Sequence, residues 1–231
     1  MNRIHRKYLF SKINVIIILS IILIACICYL FTIDLSYNTY EQWLNRNEVW
    51  INFHNTTLFV GKFIGIILAA YIMGTGFASN IDGYNVLFLR NKKNRIGFFI
   101  SKTITINIIV FLIIEIIGMV GLIIISSFSS WFNYFKELFS LFFNLAFLSL
   151  VYGNISIILI LIFKTTLVVV IPLVLFVMIE VLIDQSFINY LLVFIPTIHL
   201  ESNLYTTIHL ITLIVIYNFI SCIIYYKKDF A

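Results

Sequence analysis

Acidic side chains inside apolar stretches are the first candidates for function in this sequence. Glu115 is flanked on both sides by isoleucine pairs, Ile113, Ile114, Ile116 and Ile117. An ionised carboxylate facing lipid is costly, so Glu115 must face protein, face a wet cavity or hold a proton. Two interpretations stay open, namely a titrating or substrate-contacting group in a pathway and a neutral, hydrogen-bonded packing carboxyl.

A second acidic position closes another apolar stretch. Glu180 and Asp184 are one helical turn apart, so they would share a helix face near the headgroups. They form either an acidic rim at an exit or an ordinary hydrated helix end. Lys62 lies about one turn inside a different apolar stretch, and we expect its long side chain to snorkel to the interface.

Residue patterns typical of enzymes are absent from the sequence. A phosphate-binding loop needs a Ser or Thr after Gly-Lys, but Phe63 follows Gly61 and Lys62. There is no H-E-x-x-H zinc motif and no serine nucleophile in a Gly-flanked elbow. We therefore expect no catalytic residue, no metal site and no cofactor on this chain. Three cysteines in apolar runs are interpreted as small hydrophobic residues: Cys26, Cys28 and Cys222.

Composition places these residues in a membrane. Hydrophobic residues make up 62% of the 231 positions and charged residues 11%, whereas a soluble domain carries about 25% charged residues. One helical crossing takes about 20 apolar residues, so the chain has room for about six crossings and for no soluble ATPase. The sequence predicts a single all-α membrane domain over 1–231.

Uninterrupted apolar windows predict six transmembrane helices. Helices are expected because lipid offers no hydrogen-bond partner to the backbone. A further apolar piece, FINYLLVFIP, is about half a crossing long and suits a re-entrant segment before the last helix. The predicted crossings are Ile13 to Ile33, Thr57 to Phe77, Thr103 to Ile125, Leu138 to Phe163, Leu167 to Ile183 and Thr207 to Tyr226.

Basic residues indicate the orientation. Lys and Arg concentrate at the N-terminus, in the second connection (77–102), at Lys164 and at the C-terminus. Cytoplasmic segments carry this excess, so both termini are predicted to be cytoplasmic, in the cell membrane. This topology explains the net charge of +5, and we infer no nucleic-acid binding from it. The basic N-terminus is either an interfacial amphipathic helix or a simple stop signal.

Small and amide residues predict close helix packing. Gly61, Gly65 and Ala69 form a small-residue stripe that suits a helix interface, within or between subunits. Gly118 and Gly121 allow the same close approach on the crossing that holds Glu115. Polar residues expected to hydrogen-bond between helices are Asn144, Tyr152 and Asn154.

The second connection carries an apolar patch that a simple loop would not need. It turns at Gly83, continues through Tyr84 to Leu89, and ends in a basic cluster. Such a patch suits a short helix along the inner face, with Leu87 inserted into a groove on a soluble partner.

With these features the chain resembles the permease subunit of an ABC-2-type transporter. In that family a crossing is followed by an acidic residue and glycine, a hydrophobic stretch, a basic cluster and the next crossing. Here Asp82 and Gly83 stand for the acidic residue and the glycine, and Leu87 belongs to the hydrophobic stretch. The basic cluster consists of Arg90, Lys92, Lys93 and Arg95. Asp82 stands where the family commonly has glutamate.

The resemblance implies a set of partners and a mechanism. Two permeases, identical or paralogous, would pair with two copies of a cytoplasmic ABC ATPase that binds ATP and Mg²⁺. Asn80, Asp82, Gly83 and Leu87 would belong to the coupling helix that the ATPase contacts. By size and compact loops the chain is similar to Gram-positive permeases that export, or confer immunity to, amphipathic peptides. The implied function is export of such a peptide from the membrane.

Two other functions remain as alternatives to the ABC permease. One is a non-transporting membrane protein for immunity or assembly, which would act without an ATPase. The other is an ion-coupled carrier that uses Glu115 as its proton site.

Overall fold

The computed structural model describes residues 12–37, 55–77, 92–126, 135–165, 169–182, 193–196 and 204–227. These ranges are helical apart from short turns and helix ends, and they contain no β-strand. The expectation of an all-α protein is confirmed for them. Six helices occupy these ranges: α1 (Lys12–Tyr37), α2 (Asn55–Gly76), α3 (Lys92–Ser126), α4 (Phe135–Phe163), α5 (Ile171–Leu182) and α6 (Leu204–Lys227).

Four of these helices are long and apolar enough to cross a membrane, namely α2, α3, α4 and α6. The shorter apolar stretches are Val15–Leu30 in α1 and Ile171–Glu180 in α5. With 12 residues, α5 rises about 18 Å, which is less than the roughly 30 Å of a hydrocarbon core. Pro172 lies in its first turn, where a missing backbone N–H costs little.

Contacts between helices show that successive helices alternate in direction. The helices α2 and α4 run in the same direction. Gly61 of α2 faces Leu145 of α4, and further along both helices Ala70 accepts a hydrogen bond from Ser156. Near the start of α2, Lys62 pairs with Glu180 at the end of α5. Near the end of α2, Gly74 faces Val169, which lies just before α5 begins. The two helices are therefore antiparallel. In the same way α3 is antiparallel to α4, because Gly118 faces Phe142 whereas Asn107 meets Asn154. The alternation is the one expected of a chain that crosses back and forth.

At the centre of the bundle lies α4, which packs against α2, α3, α5 and α6. In its most apolar stretch 78% of the residues are buried, against 17% in α6. On α3 an exposed stripe recurs every fourth residue, as in Ile100, Ile104 and Ile108. One face of α3 is therefore apolar and exposed, which is the pattern of a helix that faces lipid.

The start of α3 differs from the prediction. The helix begins at Lys92, not at Thr103, so most of the basic cluster is helical and not part of a loop. Phe98 and Phe99 are buried while Ile96 and Ile100 are exposed. This helical periodicity continues the apolar face of α3 toward its N-terminus and explains the early start.

Several predicted features lie outside the described residues. These are the coupling-helix residues Asn80, Asp82, Gly83 and Leu87, together with Asp184 and the basic N-terminal segment 1–11. Of the predicted re-entrant segment, only 193–196 are described.

Candidate functional site

An ion pair joins α2 to α5. Lys62 Nζ donates to Glu180 Oε1 at 2.7 Å, and the two side chains are 14% and 23% exposed. Lys62 was expected to snorkel to the interface, and the structure shows its ammonium group meeting a carboxylate on the neighbouring helix. Each charge thereby gains a partner within an apolar bundle, where a lone charge would be costly.

Lys62 lies in a π-helical segment of α2, Val60–Gly65. Such widened turns inside α-helices are frequent at functional sites. Both glycines of this segment face α4: a Cβ on Gly61 would lie 2.5 Å from Leu145 Cδ1, and one on Gly65 2.6 Å from Ser149 Oγ. The segment thus presents glycine to α4 and Lys62 to α5.

Aromatic rings connect the helices that carry the ion pair. Phe63 packs against Phe59 with ring centroids 5.0 Å apart and edge-on against Phe176 of α5 at 5.9 Å. Tyr152 of α4 packs edge-on against the same Phe176 at 5.4 Å. These rings connect α2, α5 and α4 beside the Lys62–Glu180 pair and fix the spacing of the three helices.

Two tyrosine hydroxyls hold the turn that precedes α6. Tyr152 Oη donates to the carbonyl oxygen of Pro196 at 3.0 Å, and Tyr217 Oη donates to that of Phe194. The described part of the predicted re-entrant segment therefore lies against α4 and α6. Tyr152 was expected to bond another helix, and the structure shows it bonding this turn.

The predicted asparagine contacts between helices are confirmed. Thr207 Oγ1 of α6 donates to Asn144 Oδ1 at 2.8 Å. Asn154 Nδ2 donates to Asn107 Oδ1 of α3 at 3.1 Å. The small-residue stripe Gly61, Gly65 and Ala69 is likewise an interface within the chain, between α2 and α4.

Glu115 is half-buried on α3, and its Oε1 atom is buried without a hydrogen-bond partner among the described residues. The contacts of Gly118 with Phe142 and of Phe111 with Phe147 place Glu115 level with Leu145. Leu145 also faces Gly61, so Glu115 and the Lys62–Glu180 pair lie at a similar depth.

Close to Glu115 there is a small cavity between α2, α3 and α4. Its volume is about 10 Å³, and its lining includes Gly65, Gly118 and Phe142. That is about the room needed for one water molecule, but the lining is apolar and offers few hydrogen bonds. Gly118 packs tightly on the Phe142 ring at this cavity, because a Cβ on Gly118 would lie 2.6 Å from Phe142 Cδ1.

Basic and aromatic residues tie α2, α3 and α6 together at the other end of the bundle, which we call the basic end (Phe77, Arg95, Phe99, Lys102 and Tyr225). Phe99 makes tilted ring contacts with both Phe77 and Tyr225, with centroid distances of 5.3 and 5.2 Å. Lys102 Nζ lies 4.5 Å from the centre of the Phe77 ring, within the range of a cation–π contact.

Arg95 adds a hydrogen bond at the basic end. Its Nη1 donates to the carbonyl oxygen of Tyr226 at 3.1 Å. A guanidinium group is favoured at a helix C-terminus, where the last carbonyls lack intrahelical partners. The sequence suggested Arg95 as a topology signal and as part of the basic cluster, and Lys102 as a topology signal, but gave neither of them a packing role. Their spacing of seven residues puts both on one helical face, but spacing alone does not show that this face is buried.

The ion pair, the aromatic contacts and the hydrogen-bonded turn all fix helices relative to one another. A movement of these helices would have to break or rearrange the same contacts. Within the described ranges, no group of three or more His, Cys, Asp or Glu residues is placed to hold a metal ion. No family model matches the chain, and neither a curated protein nor a solved structure matches it.

Proposed function

We propose that this chain is the transmembrane permease subunit of an ATP-driven ABC exporter that moves an amphipathic peptide. The observation that carries the proposal is the basic end. There the last residue of the α2 region, Phe77, and the first turns of α3 are joined to the end of α6. Both ends of the connection 78–91 are therefore anchored in one block.

Because of this block, a movement of the connection would be transmitted to three helices. A force applied to residues 78–91 would act on α2, α3 and α6 together, because Phe77, Arg95 and Tyr225 fix their ends to one another. In the proposed mechanism, Asn80, Asp82, Gly83 and Leu87 of this connection contact a cytoplasmic ABC ATPase. Two ATPase copies bind ATP and Mg²⁺ and drive two permease chains.

The Lys62–Glu180 pair supports an alternating-access role at the other end. For α2 and α5 to separate, the 2.7 Å contact must break. In the closed bundle it holds α5 against α2, and its loss in the open state must be offset by new contacts with substrate or lipid. ATP-driven movement of the basic end supplies the free energy for this exchange.

An amphipathic peptide suits the apolar character of the bundle. It partitions into the membrane, so it can reach the helices laterally without a hydrophilic channel. A cluster of rings from α3 and α4, formed by Phe111, Phe143 and Phe147, has centroid distances of 4.8 to 5.6 Å. Such rings would contact the apolar face of a peptide helix.

Purification of the tagged chain from its native membranes tests the proposal. We expect an ABC ATPase to co-purify, and its ATP turnover in liposomes to fall at least tenfold with Leu87→Asp or Gly83→Pro. Tyr205→Ala, at an exposed site on α6, is the control and should leave turnover unchanged. Absence of any ABC ATPase, or unaltered coupling in both variants, would reject the assignment.

A second candidate, an ion-coupled carrier, is favoured by one observation, the unpartnered Glu115 Oε1. In that case a proton gradient without ATP would drive uptake or release of substrate in liposomes. Glu115→Gln would abolish this transport, whereas the ABC exporter requires ATP and tolerates a collapsed proton gradient.

A further inference from the structure

A group of polar side chains lies between α3 and α4 on the side of the basic end. Asn154 Nδ2 donates to Asn107 Oδ1 at 3.1 Å and to its own helix, at the Leu150 carbonyl oxygen, at 2.8 Å. Asn107 Nδ2 in turn donates to the carbonyl oxygen of Thr103 at 3.0 Å. The amide hydrogens of this group are thus directed to the protein itself.

Two oxygen atoms of the group have no such partner. Asn154 is 0% and Thr103 3% exposed. Neither Asn154 Oδ1 nor Thr103 Oγ1 has a hydrogen-bond partner within the described part of the chain. An unpaired polar atom in an apolar interior is destabilising, so both atoms favour a ligand that hydrogen-bonds to them.

The Asn107 side chain places Thr103 and Asn154 beside each other, because it accepts from Asn154 and donates to the carbonyl oxygen of Thr103. Thr103 also lies one helical turn from Asn107, on the same face of α3. An oxygen that only accepts and a hydroxyl that can donate therefore lie near each other.

We propose that Thr103 and Asn154 bind a water molecule that bridges α3 and α4. The water donates to Asn154 Oδ1 and accepts from Thr103 Oγ1, which satisfies both atoms. A cation fits less well, because the buried Lys102 neighbours Thr103 in the chain and a Thr hydroxyl and an amide oxygen supply too few ligands. Further along the same interface Gly118 packs on Phe142, so the site is confined to the half nearer the basic end.

The site is tested by solid-state NMR on the full chain in lipid bilayers. Magnetisation transfer from water to the Asn154 side-chain amide is measured in the wild type and in Thr103→Ser and Thr103→Val. We expect a cross-peak in the wild type and in Thr103→Ser, which keeps the hydroxyl. In Thr103→Val we expect it to fall at least threefold, because Val has the shape of Thr without the donor.

Thr105→Val is the matched control, since the Thr105 hydroxyl donates to Ser101 of its own helix and lies outside the group. This variant should keep the cross-peak. No water transfer to Asn154 in the wild type would overturn the proposal, and so would an unchanged cross-peak in Thr103→Val. A wild-type spectrum without this cross-peak overturns the proposal even if Thr103→Val fails to fold.

Discussion

Lys62 and Glu180 illustrate how a charge is tolerated inside an apolar bundle. Each is largely withdrawn from the surface, and each meets the opposite charge at 2.7 Å. Replacing both members of such a pair with apolar residues is often neutral, whereas removing one member leaves an uncompensated charge. The pair therefore links two helices in a way that depends on both residues at once.

At this scale we expect Lys62→Met to lower the free energy of unfolding by about 2 kcal/mol, because Glu180 loses its partner. The double variant Lys62→Met/Glu180→Met should recover most of that loss. Unfolding measured by steric trapping in bicelles checks both values.

Lys227→Met is the control for this prediction. Lys227 lies exposed in the last turn of α6, so its replacement should cost less than about 1 kcal/mol. An effect of Lys62→Met no larger than that of Lys227→Met would contradict a structural role for the pair.

The sequence identified Glu180 as a polar residue within an apolar stretch, but not its partner. The two residues are 118 positions apart, and local spacing rules relate only side chains three or four positions apart on one helix. The same limit applies to Tyr152, whose hydroxyl bonds a carbonyl 44 positions away.

Among the described elements, α2 and α4 share the most extensive contact, and glycine makes it possible. Helices in lipid gain stability from close packing, which small residues permit. Gly61 and Gly65 face Leu145 and Ser149 at distances that leave no room for a side chain. The sequence shows the stripe, but it does not show whether the stripe packs within one chain or between two chains. The same glycine spacing serves both kinds of interface.

At this scale we expect Gly61→Val to destabilise the fold by about 1–3 kcal/mol, because the added atoms overlap Leu145. The matched control is Gly97→Val on α3, where a Cβ meets nothing within 4 Å. Valine favours a helix slightly more than glycine does, so the control should be neutral or slightly stabilising. Thermal unfolding in detergent measures both; equal effects at the two sites would contradict the packing described.

Helix bounds followed from hydropathy where an apolar run ends in polar residues. The predicted end of the fourth crossing, Phe163, is the observed end of α4. The start of α3 was missed because its first turns carry Lys and Arg, which hydropathy counts against a crossing. Only tertiary contacts show that Arg95 and Lys102 pack inward there.

In the whole molecule, the described basic residues are unevenly distributed along the bundle. Arg95, Lys102 and Lys227 lie at the basic end, while Lys62 lies toward the other end in its ion pair. The alternating directions of α1 to α6 bring these residues together from separate parts of the sequence. Charge bias in the sequence predicts the same grouping, and on that basis we predict that this end is cytoplasmic.

Cysteine labelling of intact cells checks that orientation. In a background with Cys26, Cys28 and Cys222 replaced by alanine, we expect Tyr205→Cys to react with a membrane-impermeant maleimide from outside. Tyr205 is 83% exposed at the start of α6. Lys227→Cys, at the end of the same helix, should react only after permeabilisation; the reverse pattern would invert the predicted topology.

The widened turn in α2 has a consequence for how this protein tolerates changes in length. A π-helical segment carries an extra residue relative to a regular helix, and Val60–Gly65 contains Lys62 together with both glycines that face α4. Deleting one residue there would let the segment return to a regular α-helix, and the parts of α2 on either side would keep about the same orientation. The fold would therefore absorb such a deletion only if a cation still lay beside Glu180.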